Sequence, residues 1–268
     1  MNESTAEGAP FSQRLTDSNS VPINGFDMHY EVYGDAGHEP LLWLSGFGGI
    51  GADCRHLFKE IPAGFRIIAP DLRGHGASTG TESAFSFRQA ARDIASLLDL
   101  LKIERIKAIG LSGGGIVLLH MATQEPGRVE AMVPISAPPY FPPQARELQR
   151  RFSYAALGEA EMVRMRARHR DGERQLEWIV AQTHAMAETH DDVDFTPAVL
   201  GTIKARTLIV FGDSDPLYPV KLAFELHEGI PRSSLWVVPQ GGHGPIFGAN
   251  APRFLDVALP FLRGTPGA

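Results

Sequence analysis

The chain has 268 residues, 43% of them hydrophobic and 21% charged, which fits one large globular domain with enough length to bury a core. A formal net charge of −6 argues against nucleic acid as a partner, and the single cysteine, Cys54, excludes an internal disulfide framework and a cysteine-based zinc site. No apolar run is long enough to span a membrane.

The first stretch, 1–20, is polar, carries Glu3, Glu7 and Asp17, and has no apolar centre. It does not read as a signal peptide, so a loose arm ahead of the fold and a cytoplasmic location are the expectations. Phe26 to Tyr33 alternates as a strand, and Gly34-Asp35-Ala36-Gly37 follows as a turn. Leu41 to Leu44 is short and wholly apolar, the mark of a strand buried on both faces. Phe65 to Ala69, Ile106 to Ile109, Ala131 to Ile135, Thr207 to Phe211 and Leu235 to Val238 read as strands in the same way. Helical patterns lie between them at Phe87 to Leu101, Ile116 to Gln124, Val220 to His227 and Ala251 to Leu262. Alternating strands and helices predict an α/β fold, a mostly parallel central sheet with helices on both faces, over residues 21–137 and 201–268.

Residues 138–200 break the alternation. They open on Pro138-Pro139-Tyr140-Phe141-Pro142-Pro143 and continue as helical stretches rich in Arg, Glu and Met, with no strand. The expectation is a helical cap over the carboxyl end of the sheet, where ligands bind in open α/β sheets.

Gly110-Leu111-Ser112-Gly113-Gly114 stands between a strand and a helix. A serine in Gly-x-Ser-x-Gly at that junction sits on a strained turn that pushes its hydroxyl out above the sheet. Gly76-Ala77-Ser78-Thr79-Gly80 matches the same pattern but runs into polar loop, so context selects Ser112. A serine nucleophile needs a base, and the base needs a group to hold its tautomer. Two later segments follow apolar strands and supply them: Gly212-Asp213-Ser214-Asp215-Pro216 offers two acids, and Gly241-Gly242-His243-Gly244 offers a histidine. The order Ser, acid, His results.

With Asp71-Leu72-Arg73-Gly74-His75-Gly76-Ala77-Ser78 after an early strand, and Pro219 after the acid loop, the chain resembles the α/β-hydrolase fold superfamily over roughly residues 21–264. It most resembles the compact capped serine esterases, enol-lactonases and cofactor-free haloperoxidases. The resemblance implies Ser112 as nucleophile, His243 as base and Asp215, rather than its neighbour Asp213, as acid. It further implies that the N–H groups of Phe47 and Gly113 form the oxyanion hole. The loop that carries Phe47 reads Leu44-Ser45-Gly46-Phe47, with Ser45 where that family usually has histidine. Serine at 112 argues against the aspartate-nucleophile branches of the superfamily.

Other polar groups have blander readings. His75 is expected to stabilise its turn, His120 to be a satisfied core histidine, and Asp93 and Asp99 to lie on a solvated helix face. Arg164, Arg166, Arg168 and Arg170 read as a solvent face, and His190-Asp191-Asp192 as a hinge rather than a cation loop. Tyr140, Phe141, Met162, Met165, Trp178 and Met186 are pocket candidates from the cap. Leu217, Tyr218 and Phe247 join them by position.

The expected activity is a cofactor-free, metal-free hydrolysis of a small ester or lactone, macrolactones included, through an acyl-enzyme. Carbon–carbon bond hydrolysis, perhydrolase or haloperoxidase chemistry on the same residues, and a slow-turnover ligand receptor are the rivals.

Overall fold

A computed structural model describes residues 15–264 of the chain. Its strands are β1 (Leu15–Ile23), β2 (Phe26–Tyr33), β3 (Glu39–Leu44), β4 (Phe65–Pro70), β5 (Ile106–Leu111), β6 (Val129–Ile135), β7 (Arg206–Gly212) and β8 (Ser233–Val238). The helices are α1 (Cys54–Leu57), α2 (Phe87–Leu100), α3 (Gly113–Gln124), α4 (Pro143–Arg150), α5 (Glu159–Arg168), α6 (Glu173–Met186), α7 (Pro197–Leu200), α8 (Lys221–Gly229) and α9 (Ala251–Arg263). The strands form one sheet in the order β1-β2-β4-β3-β5-β6-β7-β8. Pairing is antiparallel at β1–β2 and β2–β4 and parallel from there to β8.

Neighbouring residues of the central strands feed opposite core layers, because side chains alternate across a strand. Leu42, Met132 and Ile209 pack with Ile94, Val117 and Leu222 of α2, α3 and α8. Trp43, Val133 and Val210 pack on the other face with Leu57 of α1 and Phe254 and Leu262 of α9. Strands sandwiched this way are apolar through their centres, and their polar residues, Arg66, Lys107, Glu130 and Thr207, stand near the amino ends, where Lys107 pairs with Glu39.

The expected loose arm is corrected over residues 15–20. They belong to β1, which meets β2 through an Asn24-Gly25 turn with φ of 44° and 85° at the two residues, as a two-residue hairpin requires. Every one of these six residues is exposed, so backbone pairing holds them and no apolar alternation advertises the strand. Residues 1–14 of the expected arm lie outside the described residues.

Between β6 and β7 the chain leaves the sheet and builds α4 to α7. This segment is tied down along two seams. At one, Gly76 N–H donates to His169 Nδ1 (3.0 Å), Arg170 N–H to Gly76 O (2.9 Å) and Gln175 Nε2 to Gly74 O (2.9 Å). Arg168, expected on a solvent face, instead turns inward to pair with Asp53. At the other seam the Asp192 carboxylate accepts from Ser86 Oγ and Phe87 N–H, each at 2.7 Å, and so caps α2. His120 hydrogen-bonds the Asp192 carbonyl at 2.7 Å and packs on Phe195 in the core.

Asp93 also departs from expectation: only 1% exposed, it binds Arg73 at 3.0 Å and accepts from Asn24 and Gln89. Asp99, on the same helix, is exposed and pairs with Arg128.

Candidate active site

Ser112 falls between the last residue of β5 and the first of α3, with φ of 50° and ψ of −114°. That conformation costs a non-glycine residue about 1–3 kcal/mol and persists only where its surroundings enforce it. Close approach enforces it here. A Cβ added at Gly114 would come within 2.4 Å of the Leu44 carbonyl oxygen, and one at Gly110 within 2.6 Å of the Gly114 oxygen. At Gly115 it would come within 2.6 Å of the Ala137 Cβ. Glycine at these positions lets α3 dock against the ends of β3 and β6, and the serine hydroxyl is left projecting from the turn.

Loops after β7 and β8 converge on that hydroxyl. His243 Nε2 lies 2.8 Å from Ser112 Oγ, and His243 Nδ1 lies 2.9 Å from Asp215 Oδ2. The Asp215 side chain is fully buried, and its other oxygen accepts from the amides of Leu217 (2.8 Å) and Tyr218 (3.2 Å). These two donors fix the carboxylate so that Oδ2 remains free for the imidazole. Asp213 is exposed and hydrogen-bonds Ser214 Oγ, so of the two acids only Asp215 meets the histidine. A serine, an imidazole and a buried carboxylate in this chain of hydrogen bonds can move the serine proton to Nε2 while the carboxylate holds Nδ1 protonated.

Phe47 follows β3 in the loop facing the serine turn. A Cβ at Gly113 would lie 2.9 Å from the Phe47 amide nitrogen, and one at Gly46 would lie 3.5 Å from Ser112 Cβ. The loop that carries Phe47 therefore packs directly against the serine turn, with the Phe47 amide nitrogen beside Gly113. Ser45, at the usual histidine position, is 4% exposed and lies beneath the turn that Gly49 N–H closes onto Gly46 O at 2.9 Å. The Phe47 ring meets His75 edge to face at 4.6 Å. His75 bonds the Arg73 carbonyl through Nδ1 (2.9 Å), and burial pushes its pKa down to about 4, so it stays neutral and structural.

A cavity of about 270 Å³ opens over Ser112 and His243. Phe47, Phe87, Ile116 and Leu217 line its core side, and Phe141, Leu148, Gln149, Phe152, Ile179, Thr183 and Met186 line its cap side. Of the pocket candidates named from sequence, Phe141, Met186, Leu217 and Tyr218 do line it.

The other five candidates are placed elsewhere, Met162 packing beside Met165 within the cap. The Tyr140 hydroxyl bonds Glu225 at 3.1 Å, facing away from the cavity. Met165 is buried among Tyr154, Leu176 and Ile179 inside the cap. Trp178 packs so closely over Gly74 that a Cβ there would lie 2.3 Å from its ring, making it part of the seam. Phe247 joins the core layer on the α9 face. Phe87, Gln149 and Phe152 escaped notice because nothing in their local pattern separates a cavity wall from ordinary packing. Among the described residues, no cluster of three or more side chains could hold a metal ion.

Comparison with known proteins covers most of the chain. The family profile described as the alpha/beta hydrolase fold matches residues 39–161. RutD of Variovorax paradoxus (strain S110), which carries the provisional name carbamate hydrolase, is 30% identical over 246 residues, spanning 81% of this chain and 89% of its own. The human serine hydrolase BPHL is 28% identical over 275 residues, spanning 95% of this chain and 89% of its own. Among solved structures, the meta-cleavage product hydrolase CumD of Pseudomonas fluorescens IP01 matches with a TM-score of 0.74 at 22% identity, over 94% of this chain and 99% of that one.

Proposed function

The chain belongs to the α/β-hydrolase fold family, and we propose that within it the protein hydrolyses neutral carboxylic esters and lactones through a Ser112 acyl-enzyme. The observation that carries this reading is the hydrogen-bonded chain from Ser112 Oγ through His243 to the buried Asp215 carboxylate. His243 takes the Ser112 proton as Oγ attacks the carbonyl carbon, and the Phe47 and Gly113 amides receive the oxyanion. The protonated imidazole then delivers its proton to the departing alcohol oxygen. In the second half, water gives a proton to His243 as it attacks the acyl carbon, and the imidazolium returns that proton to Ser112 Oγ as the bond from Oγ to the acyl carbon breaks and the acid leaves. A lactone follows the same steps, with the alcohol remaining tethered to the acid.

The cavity supports a neutral substrate of modest size. Its lining holds no lysine, arginine, aspartate or glutamate and is mainly aromatic and aliphatic. Its volume is near the lower end of small-molecule sites, which run to roughly 300–1,000 Å³.

The test is a steady-state screen of p-nitrophenyl esters of increasing acyl length, several lactones, a carbamate and an activated diketone, run on wild type and on Ser112→Ala. Ester or lactone turnover that peaks at short to medium acyl length and vanishes in the variant is the expected outcome. Preferred cleavage of the diketone or the carbamate by the folded wild type would displace the ester reading. Tight saturable binding without turnover would favour a receptor.

A further inference from the structure

Tyr218 packs against the serine–histidine–aspartate chain, though that chain does not require it. Its amide donates to Asp215 Oδ1 at 3.2 Å. Its ring lies 5.3 Å from the His243 ring in an edge-to-face arrangement and stacks on Phe141 at 6.4 Å with 17° between planes. The side chain is 4% exposed and lines the same cavity as Ser112 and His243, with its hydroxyl turned toward the Ser112 side chain.

A phenylalanine would supply all of that packing, so the hydroxyl has to be explained separately. The proton on Ser112 Oγ is directed at His243 Nε2, which leaves an Oγ lone pair to accept the phenol proton. Burial, and behind it the charge of Asp215, holds the phenol well above its ordinary pKa, so it stays a neutral donor. Of the other side-chain donors on the cavity wall, Thr183 spends its proton on the Ile179 carbonyl (2.8 Å), and Gln149 belongs to the cap side.

Taking ester hydrolysis at Ser112 as its premise, we propose that Tyr218 is a further catalytic residue whose hydroxyl donates a hydrogen bond to whichever oxygen is leaving the tetrahedral carbon. In acylation the bond from the carbonyl carbon to the alkoxy oxygen breaks. That oxygen is bonded to the same carbon as Ser112 Oγ, which has become an ester-type oxygen and a poor acceptor. The phenol therefore swings to the alkoxy oxygen while His243 delivers the proton. In deacylation the leaving oxygen is Ser112 Oγ itself, and the phenol returns to the position it holds in the resting enzyme. No proton leaves Tyr218 in either half; its hydrogen bond stabilises developing alkoxide charge in a site shielded from water. The substrates that gain most are esters and lactones of alkyl alcohols, whose oxygens leave as strong bases. Activated aryl esters gain least.

The test is Tyr218→Phe, with kcat/KM measured for one acyl group across alcohols from p-nitrophenol through trifluoroethanol to ethanol. Because kcat/KM reports acylation, the variant should lose about 10–100-fold more on the ethyl ester than on the p-nitrophenyl ester, a steeper dependence on alcohol basicity. For the p-nitrophenyl ester, kcat and KM should fall together as acyl-enzyme accumulates, visible as a burst of nitrophenolate. A loss of the same size across the series, or no loss, in a variant whose near-ultraviolet circular dichroism is unchanged overturns the proposal and leaves Tyr218 a packing residue. Absence of turnover on every ester by the wild type would instead defeat the ester reading, and this proposal with it.

Discussion

Two serines of this chain sit in the same five-residue pattern and meet opposite fates. Ser78, between Gly76 and Gly80, is 1% exposed; its hydroxyl donates to Asp71 O and accepts from His29 N–H, each at 2.8 Å. Both capacities are spent on joining the loop after β4 to β2. Ser112, between Gly110 and Gly114, is held at a positive φ and offers its hydroxyl to His243. The flanking glycines differ in what they avoid as well. A Cβ at Gly76 would strike the Asp71 carboxylate at 2.1 Å, within its own loop, whereas one at Gly114 would strike the carbonyl of a neighbouring strand at 2.4 Å. Small flanks therefore report crowding; chemistry at the serine comes from the partners that other strands deliver.

The largest effect that could break this contrast is on turnover. Ser112→Ala should lower kcat by a factor on the order of 10⁵–10⁶ while the melting temperature holds. Ser78→Ala should leave kcat within about threefold. Comparable losses in both variants, at retained fold, would mean that the two sites are not functionally distinct.

The same comparison can be made between the two acids. Asp215→Asn keeps the shape but presents the imidazole with the wrong tautomer, and kcat should fall by about 10⁴. Asp213→Asn touches only a Ser214 contact on the surface, and its kcat should stay within about threefold. If the two results were exchanged, the acid would be misassigned, whatever the resting geometry.

What the sequence disclosed follows the same division between crowding and partnership. The strands from β3 to β7 are legible because burial on both faces makes their centres apolar, as the pairs Leu42/Trp43 and Ile209/Val210 show, and confines polar residues such as Arg66 and Lys107 to their amino ends. The opposite condition hid β1: Asp17, Ser18 and Asn19 are exposed, and an edge strand held by its backbone needs no apolar face. The start of α3 was obscured by Gly113, Gly114 and Gly115, poor helix formers retained because of close approach. The cavity wall was legible only in part: Leu217 adjoins a motif and Phe141 and Met186 stood out in the cap, whereas Phe87 and Phe152 did not. Trp178 and Phe152 belong to the same helical cap, yet one seals Gly74 and the other faces Ser112. That choice is made by how the helices cross, which no local periodicity encodes.

Stability provides the next contrast. Removing the Ser78 hydroxyl leaves the His29 N–H and the Asp71 carbonyl without it, so Ser78→Ala should cost about 1–3 kcal/mol of unfolding free energy. Urea denaturation gives the figure directly. A cost below about 0.5 kcal/mol would mean that water or a shifted backbone replaces both bonds.

The smallest effect concerns the seam beside Ser78, where Gly76 N–H donates to His169 Nδ1. That nitrogen must be unprotonated to accept, and burial, with Arg168 nearby, pushes the His169 pKa down from 6.5 to about 4. The unfolded chain therefore takes up this proton as the pH falls through about 6.5, whereas the folded chain does so only near 4. Stability from this group is complete above the higher value and is lost as the pH drops between the two, at no more than about 1.4 kcal/mol per pH unit. His75, neutral for the same reason and held at about 4, adds a second contribution of the same sign. His169→Asn places an amide oxygen where Nδ1 accepted and removes the proton site. Its melting temperature should therefore fall less than that of the wild type between pH 7 and pH 5, while the slope due to His75 remains. Parallel pH profiles for the two proteins would show that His169 binds its proton equally in both states. The cap seam would then not be the acid-sensitive contact between the 74–76 loop and α5.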